Sequence, residues 1–158
     1  GETTPKSVYN ESTYKYCKGS YDSLTKYNNK SRLGTVDNKT VLEPSDDAAT
    51  ANWGSNWRMP THAEQVELNQ KCTWTWTTRN GVNGYKVVGR NGNSIFLPGV
   101  ELGYDALVAD GVCFWSSTPY NLSPIKNLVY ALDYRFGEGP DVGVHYCYYC
   151  ALVRPVLE

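Results

Sequence analysis

The sequence predicts an α+β fold, with two helices followed by a small antiparallel sheet and long loops. Three observations carry this. Thr61 and Glu64 stand three apart just after Pro60, the spacing of a capping box at a helix start. Directly after that helix, Thr73-Trp74-Thr75-Trp76-Thr77 alternates with period two in strand-forming residues. Beyond it, Asn80-Gly81, Asn83-Gly84 and Asn91-Gly92 are turn signals among apolar runs.

Taken in order, the first fifty residues are polar and sustain no period, so they read as long loops with one short helix. Residues 45–53 read as a first helix, with Ser45 as N-cap and Asp46 and Asp47 in the first turn, where the dipole favours acids. The second helix runs over residues 61–72. Ala63, Val66 and the Leu68 region give it a narrow apolar stripe, and Lys71 complements its C-terminal dipole. Tyr85 to Gly89 and Ser94 to Pro98 flank Asn91-Gly92 and read as a hairpin. Residues 113–117, 128–136 and 146–156 read as further strands. Trp57 and Trp115 are expected in the core, and Trp74 and Trp76 share one strand face that is expected to be buried.

The composition narrows function. In 158 residues, Lys+Arg 15 against Asp+Glu 16 gives a net charge of −1, which argues against a surface tracking nucleic-acid phosphates or anionic lipid. No apolar stretch has the length to span a bilayer. With 13 Tyr and 5 Trp against 3 Phe, the aromatic residues are mostly those with a polar handle, suited to interfaces. The 5 Cys are an odd number and do not define a disulfide framework.

Several segments together resemble a known family. Leu33-Gly34-Thr35-Val36-Asp37-Asn38-Lys39-Thr40, Trp57-Arg58-Met59-Pro60-Thr61, Asn91-Gly92-Asn93-Ser94-Ile95-Phe96-Leu97-Pro98, Phe114-Trp115-Ser116-Ser117 and Val153-Arg154-Pro155-Val156 look like the motifs of the Fibrobacter succinogenes major paralogous domain, in that family's order. The resemblance covers residues 1–158 and implies a single domain with a C-type-lectin-like fold, related to that of the formylglycine-generating enzyme. It also implies a secreted or surface protein of gut Bacteroidetes. Gly1 to Lys6 looks like the middle of a motif that family members precede with a tryptophan and a strand, so the resemblance implies a missing upstream strand.

In some relatives the region before the closing Val-Arg-Pro-Val is the target of diversity-generating retroelements, which mutate adenines. Residues 139–152 all belong to the set reachable from Asn codons by such changes, with no Lys, Glu, Gln, Met or Trp. The resemblance therefore implies a variable protein. Its Tyr-rich C-terminal third has the composition of a paratope, in which Tyr supplies rigid contact area at small entropic cost.

The reading for function is a non-enzymatic, extracellular or cell-surface ligand-binding domain, or one carried on a phage particle, needing no cofactor and no metal. Its surface at residues 119–149 would meet a protein or a surface glycan. The candidate contact residues are Tyr120, Asn121, Tyr130, Asp133, Arg135, His145, Tyr146, Tyr148 and Tyr149. Ala131, Tyr134 and Phe136 are expected to face inward and Asp133 and Arg135 outward, while His62 is expected on the solvated surface. One alternative is a copper-dependent oxidase of the formylglycine-generating type using Cys147 and Cys150; another is a structural module of a surface assembly. Glu101, Asp105 and Asp110 lack the dense oxygen-ligand spacing of a calcium loop.

Overall fold

The computed structural model describes residues 3–4, 6–99, 111–120, 128–135, 139–149 and 151–158, without the side chains of residues 111, 112 and 135. Its elements are a 3₁₀ turn at Ser31–Leu33, helices α1 (Ala48–Trp53) and α2 (His62–Lys71), and eight strands. They are β1 (Trp57–Arg58), β2 (Thr73–Arg79), β3 (Val82–Val88), β4 (Ser94–Pro98), β5 (Gly111–Tyr120), β6 (Leu128–Arg135), β7 (Gly139–Tyr146) and β8 (Val156–Leu157). The α+β class holds, with two helices and small antiparallel sheets. The strands form three sheets, β1-β8, β2-β3-β4 and β5-β6-β7, rather than one.

The capping box is present. Thr61 Oγ1 accepts from the Glu64 N–H (3.3 Å), and Glu64 Oε2 accepts from the Thr61 N–H (2.8 Å). Arg58 of β1 then grips the same carboxylate with two guanidinium nitrogens, each at 2.7 Å. This Arg58 clamp and the Thr61 donors outweigh the opposing effect of burial and hold the Glu64 carboxyl down to about 2. The expected stripe is different: Ala63 is exposed, while Gln65 is buried and its Nε2 donates to the Phe114 carbonyl at 2.8 Å. The helix docks on β5 through that amide, and Leu68 packs against the main core.

The cap of α1 is Asp47 and not Ser45. Asp47 Oδ1 accepts from the N–H groups of Ala49 (2.9 Å) and Thr50 (3.0 Å), and both carboxylate oxygens accept from the Met59 N–H. A carboxylate that caps the helix and also satisfies the buried backbone N–H just after β1 outcompetes a hydroxyl two residues earlier.

Turn chemistry sets the middle sheet. Asn80 and Gly81, at φ 52° and 79°, join β2 to β3 in the doubly left-handed geometry that matches strand twist. Asn91-Gly92 closes the β3–β4 hairpin as expected, with the Gly92 N–H bonded to the Gly89 carbonyl at 3.0 Å. Asn83-Gly84, expected as a turn, lies inside β3. Gly84 pairs with both Thr77 and Pro98, and a Cβ there would stand 2.4 Å from the Leu97 carbonyl oxygen. Its glycine serves close strand approach rather than a bend.

Tyr85, Val87, Leu97, Phe114 and Leu132 form the main core, flanked by Leu68, Trp74, Trp76 and Tyr134. Burial of each such side chain is worth about 1.5–3 kcal/mol. Trp74 and Trp76 face this core, as their shared parity implies. Strand β6 is the centre of its sheet, covered on both faces. Leu132 and Tyr134 enter the main core, while Ala131 packs with Cys113 on the other face against Trp115 and Ala151. Trp57 and Trp115 are only half-buried. Phe136 lies outside the described residues.

The last sheet also corrects a boundary. The strand expected over residues 146–156 is instead β7, Gly139–Tyr146, which ends in a turn closed by the Tyr149 N–H on the Tyr146 carbonyl (3.0 Å). Leu152 then bridges Phe114, and β8 pairs with β1.

Residues 6–47 fold without strands. Leu24 bridges Cys17 and Gly34, and Gly34 has φ 123° with Leu24 backbone atoms where a side chain would begin. Buried Asn28 bonds three backbone groups, donating to Lys30 and Thr35 and accepting from Lys30. Asp37 accepts from the Tyr27 and Asn28 N–H groups.

Candidate functional site

A cavity of about 440 Å³ opens between the N-terminal loops and the β5–β7 sheet. One wall carries Tyr14, Tyr16 and Tyr27, and the other Trp115, Ser117 and Cys147. Its size and mixed apolar and hydroxyl lining suit a small ligand or an anchoring side chain.

The N-terminal wall is organised by Asp46, whose side chain is 4% exposed. It accepts from the Tyr16 hydroxyl, from the Tyr27 hydroxyl at 2.6 Å, from Lys26 and from Lys15 at 3.3 Å. Burial alone would raise the carboxyl, but these four donors outweigh it and hold Asp46 well below the usual carboxylate range. Burial, reinforced by the bond to Asp46, pushes the Tyr27 hydroxyl up to about 12 and raises Tyr16 in the same direction. Both phenols are neutral donors at physiological pH. The ionic charges of Asp46 and Lys15 at the cavity are paired with each other, and the Asp46 acceptors are occupied.

The β5 wall contains an irregularity. Pairing with β6 shifts register between Trp115 and Pro119. Within the shift the Ser117 N–H donates to Pro60 (2.8 Å), and the Thr118 N–H donates to the Ser116 hydroxyl (3.2 Å). Bulges of this kind turn side chains out of a sheet and recur beside binding sites.

The sequence-predicted contact residues divide into three groups. Tyr130 stacks on His62, with ring centroids 3.7 Å apart at 13°, and meets Tyr120 edge-on at 5.2 Å. His62 is thereby half-buried rather than solvated. Tyr146, Tyr148 and Tyr149 form a second cluster with centroids 5.1–5.4 Å apart. All five tyrosines are half-buried.

The second group is a correction. Asp133 and His145, expected as contact residues with Asp133 facing outward, are both buried, at 8% and 7% exposure. Asp133 Oδ2 lies 3.1 Å from His145 Nε2, out of line for a hydrogen bond, and among the described residues Asp133 Oδ1 has no hydrogen-bond partner. The outward assignment assumed that this face of β6 is wet, and at Asp133 it is covered. In the third group, Asn121 and the Arg135 side chain lie outside the described residues; the Arg135 backbone pairs with Gly111 and Gly139.

Sequence reasoning missed the opposite wall, formed by Tyr14, Tyr16, Tyr27 and Asp46. The only trace was the density of tyrosines in an otherwise polar segment. Among the described residues no group of three or more His, Cys, Asp or Glu is placed to hold a metal ion. Cys150, Glu101, Asp105 and Asp110 lie outside the described residues. Among the described residues no helix is long and apolar enough to cross a membrane. In comparisons with known proteins, no family model, no curated protein and no solved structure matches this chain.

Proposed function

We propose that this chain is a non-enzymatic extracellular ligand-binding domain of C-type-lectin-like fold, whose surface at residues 119–149 contacts a protein or a surface glycan. The observation that carries the reading is the state of Tyr120, Tyr130, Tyr146, Tyr148 and Tyr149. Each is held by aromatic neighbours yet keeps part of its surface in water. Such rings have lost their rotamer freedom before any ligand arrives, so binding costs less entropy. The cavity, lined by Pro119, Val129 and Cys147 and by none of these five rings, supplies a separate recess for an anchoring group. Asp133 and His145 drop out of the contact set and act beneath it as support.

The test is binding of the purified chain to a glycan array and to a panel of cell-surface proteins. Tyr130→Ala and Tyr148→Ala are each expected to weaken any specific binding by about tenfold or more, the loss of a good aromatic anchor. Unchanged affinity in both, with folding intact, overturns the assignment of the surface. Diversification is a separate part of the proposal. It requires a reverse-transcriptase gene and a template repeat beside the coding sequence, with substitutions among sibling loci concentrated between residues 114 and 153.

A further inference from the structure

Cys17 and Cys147 come from distant parts of the chain, the N-terminal loops and the turn after β7, yet they meet in one apolar cluster. Cys17 packs there with Leu24 and Leu33, and Cys147 is seated against them together with Tyr14 and Tyr148. The Tyr14 side chain and the Cys147 thiol thus share one apolar cluster with Cys17. Both stand as free thiols here. Burial, with a smaller contribution from Glu11, pushes the Cys17 thiol up to about 11; burial, with a smaller contribution from Cys17, pushes Cys147 up to about 12. Thiols held protonated in this way are poor nucleophiles and poor metal ligands. Joined together, they would bury no S–H donor at all.

We propose that Cys17 and Cys147 form a structural disulfide when the chain folds in the presence of a disulfide oxidant of the oxidised-glutathione class. One cysteine first exchanges with the oxidant, releasing a glutathione thiol and leaving a mixed disulfide. The other cysteine, as its thiolate, attacks that protein sulfur and expels the second glutathione. Two S–H bonds are lost and one S–S bond is formed, with two electrons and two protons carried away by the two glutathiones. Because burial suppresses both thiolates once the chain is packed, the bond forms during folding, before the cluster closes. The disulfide ties the loop bearing Tyr14, Lys15 and Tyr16 to the opposite cavity wall at Cys147, fixing the width of the cavity between them. This inference is independent of which ligand the cavity takes.

The experiment refolds the full chain from denaturant in a glutathione redox buffer, blocks remaining thiols with iodoacetamide and digests without reduction. Mass spectrometry is expected to find the Cys17 and Cys147 peptides linked, lighter than their sum by two hydrogen atoms. Adding a reductant is expected to lower the midpoint of thermal unfolding by about 10 °C, the scale for a cross-link closing so long a loop. Cys17→Ser, or Cys17→Val if the serine variant does not fold, is expected to abolish that sensitivity. Recovery of both cysteines alkylated, or of Cys147 linked to Cys150, overturns the proposal; the peptide map of the unaltered chain decides this whether or not the variants fold.

Discussion

At Asp46, hydroxyl and ammonium donors from four side chains converge on one carboxylate, and strandless loops acquire a fixed geometry. Removing the acceptor strands these donors, so Asp46→Ala is expected to cost about 3–5 kcal/mol in urea unfolding, as for breaking a buried charged pair. The pH dependence follows from the direction of the shift. The folded carboxyl lies below its unfolded value of about 3.9, so its stabilisation is complete above that value and drains away as pH falls toward the folded one. Glu64 drains in an overlapping window, from an unfolded value of about 4.3 toward its folded one of about 2. Thermal midpoints taken from about pH 6 down to about pH 2 should fall for the unaltered chain and fall less steeply for Asp46→Asn. Gly34 is the other decisive single position. Gly34→Ala meets both a positive φ and the Leu24 backbone, and should destabilise by about 2–4 kcal/mol, combining backbone strain with overpacking.

Elements governed by neighbours in sequence were legible in the sequence. Thr61, Glu64 and Pro60 announced α2, and Thr61→Ala should cost about 1 kcal/mol in equilibrium unfolding, the usual worth of a cap. The strict alternation around Trp74 and Trp76 and the turns at Asn80-Gly81 and Asn91-Gly92 were legible for the same reason. What failed was settled by contacts between distant segments. The α1 cap moved to Asp47 because the Met59 backbone needs that carboxylate. Asn83-Gly84 became strand because β4 presses on Gly84. Asp133 and His145 were misplaced because alternation distinguishes two faces but does not say that both are covered. Of the candidate site, the tyrosine composition was readable and the facing wall was not, since Tyr16 and Tyr27 converge on Asp46 and Tyr14 joins them through its edge contact with Tyr16. The buried Asp133–His145 contact gives its own test. Asp133→Ala leaves an imidazole in the interior without its neighbour and should destabilise the unaltered chain more than it destabilises a His145→Leu background. Additive losses in that cycle would mean that the two groups do not interact.

For the whole molecule, the arrangement is one of late segments securing early ones. Leu152 bridges Phe114, the Glu158 N–H reaches the Asn56 carbonyl at 3.0 Å, and β8 lies along β1. Val156→Pro should open this clasp, and hydrogen exchange at residues 57–58 should accelerate while amides of the β2–β3 hairpin keep their protection.

The pairing of Trp57–Arg58 with Val156–Leu157 also sets the tempo of assembly. A contact closed across so many intervening residues forfeits chain entropy before it returns any, so refolding should be paced in milliseconds to seconds rather than microseconds. During synthesis the strand at residues 57–58 must wait for its mate to leave the ribosome, and that interval is when the unpaired edge is most open to capture by another chain.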